Sequence, residues 1–431
     1  MKKIKVTGLV GSTVSLLSIS AYALEPIQVG MASLTPSLEV GAAAFSHKNQ
    51  AFGGTASSFG FPVNRDAERY EGYAKYGVEL SVPLTEQLTL SGKVSAISSL
   101  SRGDTDGLGI TRDDPEYTDW EDGYLKLTGK ELGWLDQASV SYGRQNFIVG
   151  DGFLLADGHP EQGHEGGYWF GTRKAYDNTL VFSADHGAFH FDAFSLRTRA
   201  DVDVIDYKER VEIKGGNLQY NLESGGQVGY MHMRVTDNAS KLRDGLEVDD
   251  VRVINLPVPG VPDLKLSSEY VWQKNDDARA RGWYAGASYT FSQVPWQPKL
   301  AYKYSEFSRG YDPLFYGTSG EWGTWVQGEV VGEYMLFNNN QTTSQFKLTL
   351  HPVETVTAGA VLYKFDFKDK SDGVNSKDFA KELDLYIDWA PDAHWIVGGL
   401  IGVAKPGQGA EDLFGSRDTS HLFQAYAVYS F

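Results

Sequence analysis

A small set of basic residues is the first feature of this sequence that could do chemistry. Arg197, Arg199, Arg210 and Lys214 lie on either side of one short connection, so two neighbouring strands would bring them together. Rows of Arg and Lys along a water-filled passage select anions, because the local field matters more than the net charge. The cluster therefore predicts a binding surface for anionic solutes.

A second candidate is the segment HPEQGHE at 159–165, which contains two His and two Glu. Its spacing differs from H-E-x-x-H, and its Gly and Pro prevent a helix from presenting both His on one face. Gly150 and Gly152 lack the third glycine of a dinucleotide-binding loop, and the sequence contains no G-x-S-x-G elbow. We interpret the segment as a surface loop and predict no metal site, no cofactor and no enzyme activity.

Composition limits the class of protein that carries these residues. The 431 residues include 24 Tyr, 22 Phe, 10 Trp and 48 Gly but no Cys, and the net charge is −17. So many aromatic residues exclude a disordered chain, and the lack of Cys excludes disulfide frameworks and thiolate metal sites. The acidic balance disfavours a nucleic-acid partner. Beyond the N-terminus, no stretch approaches the roughly 18 apolar residues that a membrane-spanning helix needs.

The N-terminus predicts export from the cytoplasm. Lys2, Lys3 and Lys5 precede an apolar stretch without charge, and Ala21-Tyr22-Ala23 matches a small-x-small cleavage site. We therefore predict a signal peptide at 1–23 and a single domain at 24–431. Export of a chain without Cys favours the envelope of a Gram-negative bacterium.

Alternation of apolar and polar residues runs through the remainder of the chain. In 283–291, for example, Trp, Ala, Ala, Tyr and Phe occupy one face of a strand. The alternating segments have roughly the 9–11 residues or more that a tilted strand needs to cross a bilayer, and aromatic residues lie near their ends. The chain ends in Phe431, like the last strand of outer-membrane barrels. The sequence predicts an all-β fold, a transmembrane antiparallel β-barrel.

Turn signals predict the number of strands. Eight short turns alternate with nine longer connections, which gives 18 strands with both chain ends in the periplasm. The segment 325–331 could form one more strand, but that would leave the C-terminus outside the cell, so we assign it to a long loop at about 308–335. We expect this loop and the loop at 146–174 to fold inward and narrow the bore.

If the apolar face meets lipid, the lumen contains charges of both signs, with Lys93 and Lys347 among the basic ones. A slip in the alternation near Asp192–Ala193 would place Phe194 and Leu196 against lipid and turn Arg197 and Arg199 inward. The other charges predicted in the lumen are Lys75, Lys126, Arg210, Lys214, Lys265, Lys303, Glu79, Asp192, Glu212, Glu269, Glu382, Asp384 and Asp388.

Four short motifs resemble the alginate export family of outer-membrane channels. They are YGRQ at 142–145, GDGF at 150–153, RKAYD at 173–177 and YDPLFYG at 311–317. The resemblance implies an eighteen-stranded barrel that passes a polyanionic uronic-acid polymer along an Arg-rich constriction. The residues that match the motif positions are Arg144, Arg173, Asp177, Asp312 and Phe315.

Arg144 does not fit strict alternation, which directs its side chain towards lipid. An Arg there would cost roughly 2–4 kcal/mol at the bilayer midplane. Either Arg144 lies at the rim above the bilayer, or a bulge at Gly143 turns it inward.

The sequence thus predicts a passive outer-membrane channel for hydrophilic, anionic saccharides or uronate polymers. Its expected partners are the membrane lipid, lipopolysaccharide and the anionic substrate. A general porin of different selectivity and a non-transporting adhesin or structural barrel remain as alternatives. The acidic run at 104–122 is predicted to be a solvated surface loop, with divalent-cation binding next to lipopolysaccharide as a second interpretation.

Overall fold

Eighteen antiparallel strands form one closed sheet in the computed structural model. The structure describes residues 25–111, 114–160, 163–198, 200–202, 207–237, 243–275, 278–317, 322–370 and 373–431, so the predicted signal peptide lies outside it. In this part of the chain, no helix has the length and apolarity needed to cross a membrane.

The strands are much longer than those of typical soluble sheets. The barrel consists of β2 (Ala32–Lys48), β3 (Ala67–Pro83), β4 (Leu88–Gly103), β5 (Glu116–Leu132), β6 (Leu135–Gln145), β7 (Tyr176–His186), β8 (Phe189–Arg197), β11 (Val211–Asn221), β12 (Gln227–Asp237), β13 (Glu247–Val258), β14 (Val261–Lys274), β15 (Arg279–Thr290), β16 (Lys299–Phe307), β17 (Gln341–Val353), β18 (Val356–Phe367), β19 (Asp378–Trp389), β20 (Trp395–Pro406) and β21 (Ser420–Ser430).

Short elements complete the fold. The strand β1 (Ile27–Val29) pairs with the start of β2, and β9 (Ala200–Val202) pairs with β10 (Tyr207–Glu209) in a separate ribbon. The helix α1 (Gln408–Phe414) lies in the connection between β20 and β21.

Each barrel strand pairs with its neighbour in sequence, and β21 pairs with β2 to close the sheet. Closure leaves no strand edge in the bilayer, where an unpaired backbone N–H or C=O costs several kcal/mol. Eight short turns lie at one end and nine other connections at the opposite end, and 325–331 belongs to a loop. The predicted strand count and topology are therefore confirmed.

The outer wall of the barrel is apolar along most of its height. Residues with side chains that point outward and remain exposed include Leu362, Leu385, Ile401 and Phe423. Trp134, Trp389 and Trp395 lie beside the short turns. This distribution is the one that a hydrocarbon layer bordered by polar headgroups favours.

The predicted slip in β8 is wrong. Its pairing with β7 and with β11 runs without a register shift, so alternation continues through Asp192–Ala193. Phe194 and Leu196 face inward and are buried, while Arg197 faces outward. The apolar pattern misled the prediction because the loop that fills this part of the barrel offers Phe194 an apolar partner, Phe147, at 5.1 Å between ring centroids.

Closure of the barrel can be tested with a disulfide at the seam, since the chain has no Cys. Ala44 on β2 lies directly opposite Ala425 on β21, and both point outward. We expect the variant Ala44→Cys/Ala425→Cys to cross-link on oxidation and to migrate faster on a denaturing gel. The pair Ala44→Cys/Ala427→Cys, which is offset by two residues, is the control. Equal cross-linking of both pairs would contradict this register.

Candidate functional site

Two long connections fold into the barrel, as predicted. Residues 146–175 join β6 to β7, and residues 308–340 join β16 to β17. Phe153 and Trp325, one from each connection, pack on Tyr284 of the inner wall, with ring centroids 5.5 and 4.7 Å away. We call the described parts of these two connections the plug.

Backbone hydrogen bonds join the two halves of the plug. The Phe315 N–H donates to the Leu154 carbonyl at 3.0 Å, and the Ala156 N–H donates to the Phe315 carbonyl at 2.8 Å. The Gly317 N–H donates to the Gly152 carbonyl at 3.0 Å. The motifs GDGF and YDPLFYG, far apart in sequence, therefore meet in one structure.

Only glycine fits at position 152, where the two connections meet. Its φ is +87°, and a Cβ on it would lie 2.5 Å from the Gly317 carbonyl oxygen. Both the left-handed backbone and the close approach of a second chain segment require glycine. The motif thus encodes contact between the loops.

Arg173 is buried and fastens the plug to the wall. Its Nε lies 3.1 Å from a Glu165 carboxylate oxygen, and its other nitrogens donate to the Ser99 hydroxyl at 2.7 Å and to the Tyr117 carbonyl at 3.0 Å. Burial raises the pKa of Glu165, but His159 and Arg173 outweigh burial and lower the pKa to about 2. The guanidinium is therefore occupied by structural partners.

The interpretation of HPEQGHE as a surface loop is wrong. His159 and Glu165 are each 2% exposed, since the segment is part of the plug and packs inside the barrel. Glu161 lies outside the described residues. Among the residues that the structure describes, no group of three or more His, Asp or Glu could hold a metal ion.

A bulge turns Arg144 away from lipid, which was one of the two alternatives. The ladder between β6 and β7 shifts register between Gly143 and Gln145, and Gly143 has a φ of +127°. The Arg144 guanidinium lies 3.6 Å from the Asp119 carboxylate and 3.4 Å from the His159 ring. Its side chain is 15% exposed, so it holds the plug rather than facing the bilayer.

The predicted acidic surface run also contributes to this anchoring. Glu121 lies next to a register shift of β5 and accepts hydrogen bonds from the Lys174 and Ala175 N–H groups at 2.8 and 3.0 Å. Asp106 is fully buried and accepts hydrogen bonds from the Leu108 and Gly109 N–H groups. These acids are structural, so the prediction of a wholly solvated loop is wrong for them.

Asp312 is held by an arginine that the sequence analysis missed. Arg243, in the connection between β12 and β13, approaches both carboxylate oxygens at 2.6 and 3.0 Å. The same guanidinium lies over the Phe315 ring, 4.9 Å from its centroid. No local pattern singles out Arg243, because its partner is 69 residues away.

Lys93 and Lys347 both face inward and have partners. Lys93 lies 3.4 Å from Glu79 and 3.5 Å from Asp122. Lys347 donates to the Trp322 carbonyl at 2.8 Å. Asp177 is half-buried near the start of β7.

The predicted basic cluster does not line the lumen. Arg197 and Lys214 point outward, because pairing from β7 to β12 is unbroken. Arg197 forms a 3.0 Å ion pair with Glu212, which also points outward and was wrongly placed in the lumen. Arg210 is exposed in the connection before β11, and Arg199 lies outside the described residues.

Lysines of the inner wall form a different basic surface. Across β14 to β17, Lys265 is opposite Ser288, Ser288 is opposite Ala301, and Ala301 is opposite Lys347. Lys299 and Lys303 flank Ala301 on β16 at two-residue spacing. We call Lys265, Lys299, Lys303 and Lys347 the lysine wall.

The four side chains of the lysine wall differ in exposure and in their contacts with the plug. Lys265 is exposed and Lys299 is half-buried. Lys303 donates to the Gly323 and Thr324 carbonyls and lies 4.6 Å from the centroid of the Trp325 ring. Lys303 and Lys347 thus hold the inner end of the plug, while Lys265 is exposed.

These features define an outer-membrane β-barrel of the porin type, with a channel interior shaped by inward loops. The chain belongs to the alginate export family, whose profile matches residues 93–408. A search of curated proteins gave no match.

Solved structures share the fold at low identity. A BenF-like porin from Pseudomonas fluorescens Pf-5 is 8% identical with a TM-score of 0.61, and OccK5 (OpdH) from Pseudomonas aeruginosa is 9% identical with a TM-score of 0.59; each comparison covers 92% of this chain and 98% of the other. Pseudomonas aeruginosa OprD is 13% identical with a TM-score of 0.56, over 98% of both chains. The fold and the family place the protein in the Gram-negative outer membrane, in contact with lipid.

Loss of Arg173 is expected to loosen the plug without opening the barrel. The variant Arg173→Ala leaves Glu165 buried without its guanidinium, which typically costs about 3–5 kcal/mol. We expect residues 146–175 to become sensitive to protease while the heat-modifiable gel mobility of the barrel is kept. Arg102→Ala, which removes an exposed ion pair with Glu116, should have little effect. Equal protection in both variants would refute this role of Arg173.

The plug is also expected to loosen as the pH rises. Burial raises the pKa of Asp157 to about 7, and burial with the nearby Glu382 charge raises that of Glu329 to about 7. Ordinary values are about 4, so the seated plug holds protons that an unseated plug releases. The stability that these two groups contribute to the seated plug therefore falls from about pH 4 to about pH 7.

Single-channel recordings between pH 5 and pH 8 test this dependence. We expect brief opening events to become more frequent between pH 5 and about pH 7. The variant Asp157→Asn/Glu329→Gln should weaken this change. If the variant keeps the full pH dependence, other groups control the plug.

Proposed function

We propose that the protein is a passive outer-membrane channel for anionic saccharides, including uronate oligomers or polymers. The lysine wall carries this proposal, since it places four cationic side chains on the inner face of β14, β16 and β17. Cationic side chains that recur along a wall give weak, repeated sites for a polyanion, and brief residence at each site permits conduction. Membership of the alginate export family supports the same substrate class.

Aromatic side chains next to the wall support a saccharide over a simple anion. The Trp322 ring lies 5.7 Å from Tyr386 and 6.3 Å from Tyr426, between centroids, and its indole N–H donates to Asp388 at 2.8 Å. Trp322 stays partly exposed, at the point where Lys347 binds its carbonyl. A ring face with polar groups beside it suits a sugar ring, which has apolar faces and hydroxyl edges.

Three arginines of the interior, Arg144 and Arg173 from the motifs and Arg243, have a different part in this proposal. Arg144, Arg173 and Arg243 are each engaged with carboxylates of the plug or the adjoining wall. They determine the shape of the constriction, and the lysine wall supplies the attraction for anions. Substrate selectivity then depends on the lysine wall more than on the buried arginines.

A general porin is the second candidate, favoured by the mixed charge of the inner wall. Lys93 is compensated by Glu79 and Asp122, and the inward-facing Asp192 is buried near His190. With much of the field cancelled, the barrel would pass small hydrophilic solutes of either sign. A non-transporting barrel would show no conductance.

Reversal of charge in the lysine wall tests the proposal. In a planar bilayer under a salt gradient, we expect the purified barrel to prefer anions and to be blocked by uronate oligomers in a concentration-dependent way. Each reversed charge changes the local energy of an ion at about 4 Å by roughly 2 kcal/mol in water, twice the value for one unit charge. Lys265→Glu/Lys299→Glu should therefore shift the reversal potential towards cations and weaken the block several-fold.

Lys214→Glu is the matched control, because it reverses a lysine of the outer wall. It should change neither the reversal potential nor the block. Cation preference of the unmodified barrel, or block that the double variant leaves intact, would favour the general porin instead.

A further inference from the structure

Three lysines stand side by side on the outer wall of β18, β19 and β20. Lys364 lies directly opposite Lys381, and Lys381 lies directly opposite Lys405. All three side chains are exposed. We call these residues the outer lysine row.

Without a bound anion, repulsion between the charges of the outer lysine row destabilises the protein. Directly opposed residues on neighbouring strands have Cβ atoms about 4.5–5.5 Å apart, and like charges at that distance repel. Lys364 is compensated by Asp366 at 3.0 Å. In the described part of the chain, Lys381 and Lys405 have no carboxylate within 4.0 Å. An external anion would therefore remove a repulsion that the fold itself does not relieve.

The row lies at the upper border of the apolar belt. One step closer to the short turns, Leu362 is opposite Leu383, and Leu383 is opposite Val403. Leu362 is 52% exposed, and Ile401 nearby is also 52% exposed. The strand β18 runs from a short turn to a long connection, so the lysines are on the extracellular side of these apolar residues.

We propose that the outer lysine row binds the phosphate groups of a lipid A-type glycolipid in the outer leaflet. Lysine ammonium groups bind phosphate as point charges, and clustered lysines beside a membrane recruit anionic lipid headgroups. The row spans two inter-strand spacings, about 10 Å, so two phosphates of one headgroup can each lie between neighbouring lysines. The acyl chains then cover the apolar residues below.

Another basic row of the outer wall is compensated by a carboxylate of the protein itself. Lys214 lies opposite Arg234, but Arg234 lies opposite Glu247, which forms a 2.9 Å ion pair with Lys274. That acid compensates the neighbouring cations from within the protein. The outer lysine row is distinct because two of its three members are not compensated in this way. The proposal is independent of what the channel transports.

Titration of the delipidated, detergent-solubilised barrel with bisphosphorylated lipid A, followed by native mass spectrometry, tests the site. The variant Lys381→Gln/Lys405→Gln is expected to lose affinity on the order of tenfold or more, as two contacts with an anionic headgroup are removed. Lys381→Arg/Lys405→Arg keeps the charge and should retain binding. Lys214→Gln/Arg234→Gln removes the same charge elsewhere on the outer wall and should bind like the unmodified barrel.

Two results would overturn the proposal. One is undiminished lipid A binding by Lys381→Gln/Lys405→Gln when heat-modifiable mobility shows that the variant is folded. The other is equal affinity of the unmodified barrel for phosphatidylglycerol, which has one phosphate, because the row would then be a general surface for anionic lipid.

Discussion

The backbone pairing of Leu154 with Phe315 is the interaction on which the interior of this barrel depends. It joins two connections that are far apart in sequence, and neither connection pairs its inner backbone groups in this way without the other. Buried N–H and C=O groups need partners, so the two connections stabilise each other inside the closed sheet. Gly152 makes the close approach possible. Hydrogen bonds from Arg173 to Ser99 and Tyr117 attach the paired loops to the wall, and the ion pair of Arg243 with Asp312 attaches them to the connection between β12 and β13.

Placement of charge follows from this pairing. Arginines are engaged where the plug excludes water, because a planar guanidinium can satisfy several buried acceptors at once, as Arg173 does with Glu165, Ser99 and Tyr117. Of the lysines on the inner wall, Lys303 and Lys347 bind carbonyls of the plug, and Lys265 is exposed. The arginines thus maintain the shape of the interior, and the exposed charge of the inner wall lies with lysine.

Alternation of apolar and polar residues determines both walls of the barrel, but the outer wall faces lipid and the inner wall faces the interior. Alternation sends Leu362 and Leu385 to lipid and Glu382 and Asp384 to the interior. Near the extracellular end the outer wall leaves the hydrocarbon, and charges such as Lys381 or Lys214 become acceptable on it. A polar residue therefore indicates an inward-facing position only in the membrane-embedded part of each strand.

Sequence patterns alone determined the all-β barrel, its 18 strands, its closure and its family, because alternation and turn residues are local properties that repeat in every hairpin. They also indicated that 146–174 and 308–335 enter the barrel. Only the tertiary structure decided the roles of individual charges. Phe194 looked lipid-facing because the pattern cannot distinguish acyl chains from an apolar plug, and Arg197 was misplaced with it. The role of Arg243 depends on contact between two connections, and the outer lysine row depends on register between strands; both bring together residues that no local spacing relates.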